Sequence, residues 1–289
     1  MAPDTPTDAP APTDAPRATV IIPANNEQAY IGACLDRLAA SAGDSPFETI
    51  VVANACTDRT VAIAQQIADL APDPARPVRI IDTDKGGKLG ALQLGDDAAR
   101  APIRIYLDAD VSVSPALIPA LIATLDTGAP RYASGTPEIA PAQSPVTRAY
   151  ARFWQKLPFV TTGVPGFGLF AVNGPGRARW EAWPEIISDD TFARLNFTPN
   201  ERVRLPETYR WPMIEGLSGL IRVRRRQDRG VREIGEKFPR LLQNADPSAF
   251  SRGAKLSAIL RDPLGFAVYG FIALCVRLPG GKGGWARGR

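Results

Sequence analysis

A chain of 289 residues, 45% apolar and 22% charged, has the composition of an ordinary globular protein and can bury one sizeable core. It contains no histidine, which excludes a Ser-His-Asp triad, a Cys-His pair and every His-ligated metal site. Any general base must therefore be a carboxylate, a lysine or a tyrosine. Three widely spaced cysteines, Cys34, Cys56 and Cys275, build neither a disulfide framework nor a zinc site and read as reduced thiols in a cytoplasmic setting.

Charge is unevenly distributed. Residues 1–200 carry 16 Lys/Arg against 22 Asp/Glu, whereas residues 201–289 carry 18 against 8. A basic C-terminal portion points to an anionic partner, phosphate groups or an acidic membrane surface, and no motif supports nucleic acid. Residues 1–17, rich in Ala, Pro, Thr and Asp with no apolar core, read as a disordered tail and not as a secretory signal.

From Ala18 the pattern becomes periodic. Ala18 to Ile22 is a β-branched run ended by Pro23, hence a strand, and Asn25-Asn26-Glu27 can cap a helix with Ile31, Cys34, Leu35 and Leu38 at helical spacing. Thr49 to Val52 predicts a second buried strand, Thr57 to Leu70 a second helix, and Val78 to Ile81 a third strand. Gly86-Gly87 opens a third helix over Lys88 to Ala99. Strands alternating with helices predict βαβ units and a parallel sheet, with ligands bound at the C-terminal strand ends. The polar clusters fall at those ends: residues 23–27, 54–58, 82–88 and 108–110.

The fourth strand, Ile103 to Leu107, runs into Asp108-Ala109-Asp110. Two neighbouring carboxylates repel each other and need a partner, which Mg²⁺ or Mn²⁺ supplies through hard oxygen coordination. A solvated strand end followed by a helix cap is the plainer alternative.

These segments together resemble a family 2 glycosyltransferase of the GT-A fold. Val20 to Glu27 is similar to the family's opening strand and its Pro-Ala-Tyr-Asn-Glu segment. Val51 to Thr60 resembles Val-Val-Asp-Asn-Gly-Ser-Thr-Asp-Gly-Thr, Gly87 to Gly95 resembles Gly-Lys-x-x-Ala-Leu-Asn-x-Gly, and Asp108-Ala109-Asp110 matches the metal-binding Asp-x-Asp. The resemblance implies Pro23, Ala24 and Glu27 on the nucleoside, with Asn54 and Asp58 nearby and Lys88 near the base or phosphates. It implies Asp108 on the ribose or metal and Asp110 on Mn²⁺ or Mg²⁺. One departure is Ala53, where the family has an acid that would accept hydrogen bonds from the base.

The second half carries the acceptor side. Pro145 to Leu157 predicts a helix whose Tyr150, Phe153 and Trp154 pack or line a cleft. Gly163 to Ala171 mixes turns with a short strand; its glycines suit close backbone approach to a substrate or a bulged hairpin. Arg177 and Arg179 beside Trp180 and Trp183 suit sugar stacking, or a core. Ile186 to Phe192 resembles the family's Glu-Asp position, which implies Asp190 as the catalytic base of an inverting enzyme with Asp189 beside it; an N-cap cluster is a compatible role. In the arginine-rich stretch Leu217 to Phe238, Gln227-Asp228-Arg229-Gly230 departs from the Gln-x-x-Arg-Trp of processive relatives, and Arg226 and Arg229 are candidates for the diphosphate.

Residues 263–276 are apolar but shorter than the roughly 20 residues a spanning helix needs. An interfacial helix, a re-entrant segment and a buried helix all remain open; flanking cations suit peripheral binding to an anionic leaflet. The expectation is a GT-A-like α/β domain over 18–235 with a mostly parallel, Rossmann-type sheet flanked by helices, followed by a basic, apolar helical segment over 236–289. Its expected activity is metal-dependent, inverting, non-processive transfer from a nucleotide-sugar donor to a sugar or lipid-linked hydroxyl acceptor, in cell-envelope or exopolysaccharide biosynthesis at the inner face of the membrane. The rivals are a nucleotidyltransferase and a membrane-associated binding protein with a degenerate transferase fold.

Overall fold

The computed structural model describes residues 15–70, 72–246 and 252–278. The expected tail over 1–17 therefore lies mostly outside the described residues, and Arg17 is already tied down, its N–H donating to Pro46 O.

An eight-stranded sheet of order β3-β2-β1-β4-β7-β6-β8-β5 organises the chain. The first half is the alternation read from the sequence: β1 (Ala18–Ala24), α1 (Ile31–Ala39), β2 (Phe47–Asn54), α2 (Thr60–Leu70), β3 (Val78–Thr83), α3 (Lys88–Ala98) and β4 (Ile103–Leu107). β1 pairs in parallel with both β2 and β4, and β2 with β3. The chain moves outward from β1 to β3 and returns to β4 on the other side. The C-terminal ends of β1 and β4 thus flank a topological switch point, where open α/β sheets bind ligands.

β1 and β2 are apolar and almost wholly buried because helices cover both sheet faces. On one face Ile31, Cys34, Leu35 and Leu38 of α1 meet Val20, Ile22 and Val51; on the other Ala91 of α3 meets Ile50 and Val52.

The second half is mixed: β5 (Ser112–Val113), α4 (Leu117–Leu125), β6 (Tyr132–Ile139), α5 (Pro145–Trp154), α6 (Pro158–Thr161), β7 (Leu169–Val172), α7 (Gly174–Arg177), α8 (Asp189–Leu195) and β8 (Arg202–Trp211). β7 runs antiparallel between β4 and β6. The glycines before β7 approach protein and not an open surface. A Cβ on Gly168 (φ +75°) would lie 2.6 Å from a Trp211 ring carbon, and one on Gly166 (φ +71°) 1.9 Å from the Tyr132 hydroxyl. Tyr150, Phe153 and Trp154 of α5 are likewise buried in packing.

Three helices close the chain: α9 (Leu217–Lys237), α10 (Arg252–Arg261) and α11 (Pro263–Arg277). The boundary expected at 235/236 falls inside α9. Ile234 packs into the main domain beside Phe192 and Trp183, while α11 stacks Phe266 and Tyr269 on α5. Among the described residues no single helix is long and apolar enough to cross a membrane.

Candidate active site

The polar strand ends meet at the switch point. Asn54, expected near the nucleoside, is buried: its amide donates to Ala24 O (2.8 Å) and its carbonyl oxygen accepts from Gly87 N (3.0 Å). Its side chain thereby ties β1, β2 and the start of α3 into one frame. Asp58 accepts from Thr60 N (2.9 Å) and Gln28 N (3.2 Å). Burial works to raise its pKa, but these bonds outweigh it and hold the carboxyl below the usual range. Pro23 and Ala24 end β1, and Glu27 follows with its N–H on Thr60 Oγ1 (2.8 Å).

A cleft of about 290 Å³ opens at the ends of β2 and β3, lined by Ala55, Cys56, Asp82, Thr83 and Asp84. Ala53 is fully buried, and its register partner on β3 is Asp82. A carboxylate is thus available one strand away from the position where the family's acid is missing. Asp82 and Asp84 were visible in the sequence only as a polar strand end; the pairing register singles out Asp82.

The acidic pairs converge on one cation. Lys88 Nζ lies 2.8 Å from Asp108 Oδ1 and 2.9 Å from Asp189 Oδ2. Lys88 is the first residue of α3, held there by the Asn54–Gly87 bond, and it bridges the end of β4 to the start of α8. Burial works to depress the ammonium pKa, but the two carboxylates dominate and raise it, so the lysine stays charged. Asp190 adjoins this bridge and accepts from Thr191 N (2.6 Å). Burial, then the neighbouring Asp189, push its pKa up to about 6 against the opposing pull of Lys88. Ser188 precedes α8 without a side-chain cap bond, so the acids there are not explained by capping alone.

Asp110 lies half-buried in the loop after Asp108, whose carbonyl oxygen accepts from Val111 N. Among the described residues no group of three or more Asp, Glu, Cys or His side chains is placed to hold a metal ion. Two hard carboxylates on one loop fit a Mg²⁺- or Mn²⁺-type ion that takes its remaining oxygens from phosphate and water.

The arginine-rich helix α9 divides its residues. Gly230 presses on α8's start, where a Cβ would meet Ser188 Oγ at 2.1 Å, and Glu233 accepts from Ile187 N (2.8 Å). Arg226, one turn before Gly230, shares that face and is half-buried. Arg229 points roughly 100° away from Gly230 and is exposed. Arg224 and Arg225 are engaged elsewhere, on Tyr269 Oη (3.2 Å) and Cys275 O (2.7 Å).

Trp180 and Trp183 are core residues. Buried Asp96 accepts from Tyr106 Oη (2.8 Å), Arg177 Nε (2.9 Å) and Trp183 Nε1 (2.8 Å), with Arg177 stacked over the Trp180 ring. Arg179 pairs with Glu201. Of the two readings the sequence leaves open for this cluster, sugar platform and core, the structure shows the core, a packed polar hub.

Comparisons with known proteins bear on the fold and the family. One solved structure with a related fold is the mannosyltransferase PcManGT from Pyrobaculum calidifontis in complex with GDP-Man and Mn²⁺. It is 19% identical, with TM-score 0.57 over 96% of this chain and 80% of that one. Another is S. aureus TarS 1–349, 16% identical, with TM-score 0.55 over 91% and 76%. The same TarS fragment in complex with UDP-GlcNAc gives 14% and 0.50 over 90% and 81%. A comparison with curated protein sequences finds no match. The sequence model of glycosyl transferase family 2 matches residues 19–193, more than half the chain. With the GT-A-like sheet, that match identifies the chain as a glycosyltransferase belonging to family 2.

Proposed function

We propose that this glycosyltransferase moves a sugar from a nucleoside-diphosphate sugar to a hydroxyl acceptor with inversion at the anomeric carbon, one residue at a time, in the building of an envelope or extracellular glycan. The observation that carries the reading is the Lys88 bridge, which joins Asp108 of the Asp-x-Asp loop to Asp189 of the Asp189-Asp190 pair. Asp190, with a pKa near 6, is ionised at neutral pH yet basic enough to accept the acceptor's hydroxyl proton. The acceptor oxygen attacks the anomeric carbon as the bond to the diphosphate oxygen breaks; the proton goes to Asp190 and the nucleoside diphosphate leaves. Base catalysis of this kind contributes roughly 10²–10⁴-fold.

A divalent ion, held by Asp110 with Asp108 contributing, would supply Lewis-acid charge to the departing diphosphate. Arg226, half-buried on the Gly230 face of α9, is the candidate guanidinium for that diphosphate. PcManGT with its GDP-Man and Mn²⁺, and TarS with its UDP-GlcNAc, support a nucleotide-sugar donor and a divalent metal. The departure from Gln-x-x-Arg-Trp supports single additions.

The test is calorimetric titration of UDP, GDP and CDP with and without Mn²⁺, on the wild type and on Asp110→Asn. The expected result is one preferred nucleotide whose binding needs Mn²⁺ and weakens at least about tenfold in the variant. Folded protein that binds no nucleotide in a metal-dependent way would overturn the reading.

A further inference from the structure

We infer that the outer face of the C-terminal helix pair, α10 and α11, is a docking surface for an anionic lipid bilayer. The inference rests on these helices alone and stands or falls independently of the donor and acceptor chemistry. α11 has two unlike apolar faces. One is anchored: Ile272 is fully buried, and Val268, Tyr269 and Val276 pack on the cluster containing Tyr150, Trp154 and Leu220. The other carries Leu264, Ala267, Phe271, Leu274 and Leu278, at spacings of three and four residues, and all five are exposed. Leu256 and Leu260, one turn apart on α10, extend the exposed apolar set. The six large residues are between 54% and 72% exposed. Seven apolar side chains in contact with water on two adjoining helices form an unpartnered surface that core packing does not explain.

Charge selects the occupant. Residues 247–289 contain the cations Arg252, Lys255, Arg261, Arg277, Lys282, Arg287 and Arg289 and a single acid, Asp262. Asp262 is buried and used internally, accepting from Gly265 N (2.9 Å) and paired with Arg152 and Lys156 (both 3.3 Å). The described cations at the rim, Lys255, Arg261 and Arg277, are all exposed. A two-fold contact between copies would set this acid-free rim against itself, whereas an anionic leaflet complements it.

Geometry selects the mode. The two helices bend by 111° at Asp262, and α11 at 15 residues is about 22 Å long, short of the ~30 Å hydrocarbon core. Together the two helices have the length and composition of a broken or re-entrant span. The anchoring of one face of α11 on the protein core leaves only the outer face for lipid, so the pair lies on the bilayer.

The full-length protein is sedimented with vesicles of phosphatidylcholine, alone and mixed with phosphatidylglycerol. Two triple variants are compared with it, Leu264→Gln/Phe271→Gln/Leu274→Gln and Lys255→Gln/Arg261→Gln/Arg277→Gln. The expected result is wild-type protein in the pellet with the anionic vesicles, partitioning reduced at least about tenfold in each variant, and release by salt. The second variant changes only exposed cations, so the test holds even if the first folds poorly. Wild-type protein that stays in the supernatant with anionic vesicles overturns the inference. So does equal binding to neutral vesicles, or a lipid-free dimer that Phe271→Gln dissociates.

Discussion

Lys88 Nζ and Asp189 Oδ2 stand 2.9 Å apart, and the same ammonium lies 2.8 Å from Asp108 Oδ1. One side chain thereby links the acid that follows β4 to the acid that begins α8. The position of the lysine follows from an interior contact: Asn54 accepts from Gly87 N and fixes the first turn of α3. Without the cation, two acidic segments would face one cleft uncompensated, at a cost in charge repulsion and desolvation.

Lys88 also acts on Asp190. Its charge pulls the Asp190 pKa down against burial and Asp189, leaving it at about 6. In Lys88→Met that pull disappears, so the acid limb of the kcat/KM profile should move from near pH 6 to higher pH, with activity at pH 8 recovering part of the loss seen at pH 6. The measurement is a pH–rate profile on both proteins. An unmoved limb would mean that Lys88 does not tune the group that sets it.

Asp190 itself should trade stability for activity. Its pKa is raised on folding from the ordinary carboxylate range to about 6, so the folded state binds the proton more tightly than the unfolded state. By linkage, its contribution to stability is present at low pH and is lost as pH rises through about 6. Asp190→Asn, which cannot ionise, should lose about 10²-fold or more in kcat. It should also be more stable than wild type at pH 8, by on the order of 1–2 kcal/mol, with the difference vanishing near pH 4. Urea unfolding at the two pH values decides it; a variant less stable at pH 8 would contradict the raised pKa.

Much of the frame was legible in the sequence because buried parallel strands leave continuous apolar runs, and their polar ends mark the ligand edge. The runs 18–22, 49–52, 78–81 and 103–107 declared the four strands that the structure shows. Side-chain identity alone was less informative. Arg177, Trp180 and Trp183 have the composition of a sugar platform, and only the buried Asp96 carboxylate, distant in sequence, makes them a core hub. Asn54 sits in a binding-site motif yet spends its amide on Ala24 and Gly87. Asp82 could be set opposite Ala53 only once the β2–β3 register was known. Long-range pairings of this kind leave no local periodicity to read.

The last prediction concerns Ala55, which lines the cleft with φ at +48°. An L-residue with a Cβ is strained there by roughly 1–2 kcal/mol, because Cβ crowds the following carbonyl. The segment it resembles has glycine at this point. The conformation is held by its surroundings: Ala55 N donates to Thr83 O (2.7 Å), and its carbonyl oxygen accepts from Asn25 Nδ2 (3.1 Å). Ala55→Gly relieves the strain but enlarges the unfolded ensemble, which offsets about 0.5–1 kcal/mol of the gain. The expected net effect is a stabilisation of up to about 1 kcal/mol, read as a higher urea midpoint at unchanged m-value. A lower midpoint would mean that the Ala55 methyl contributes more by packing than its backbone loses by strain.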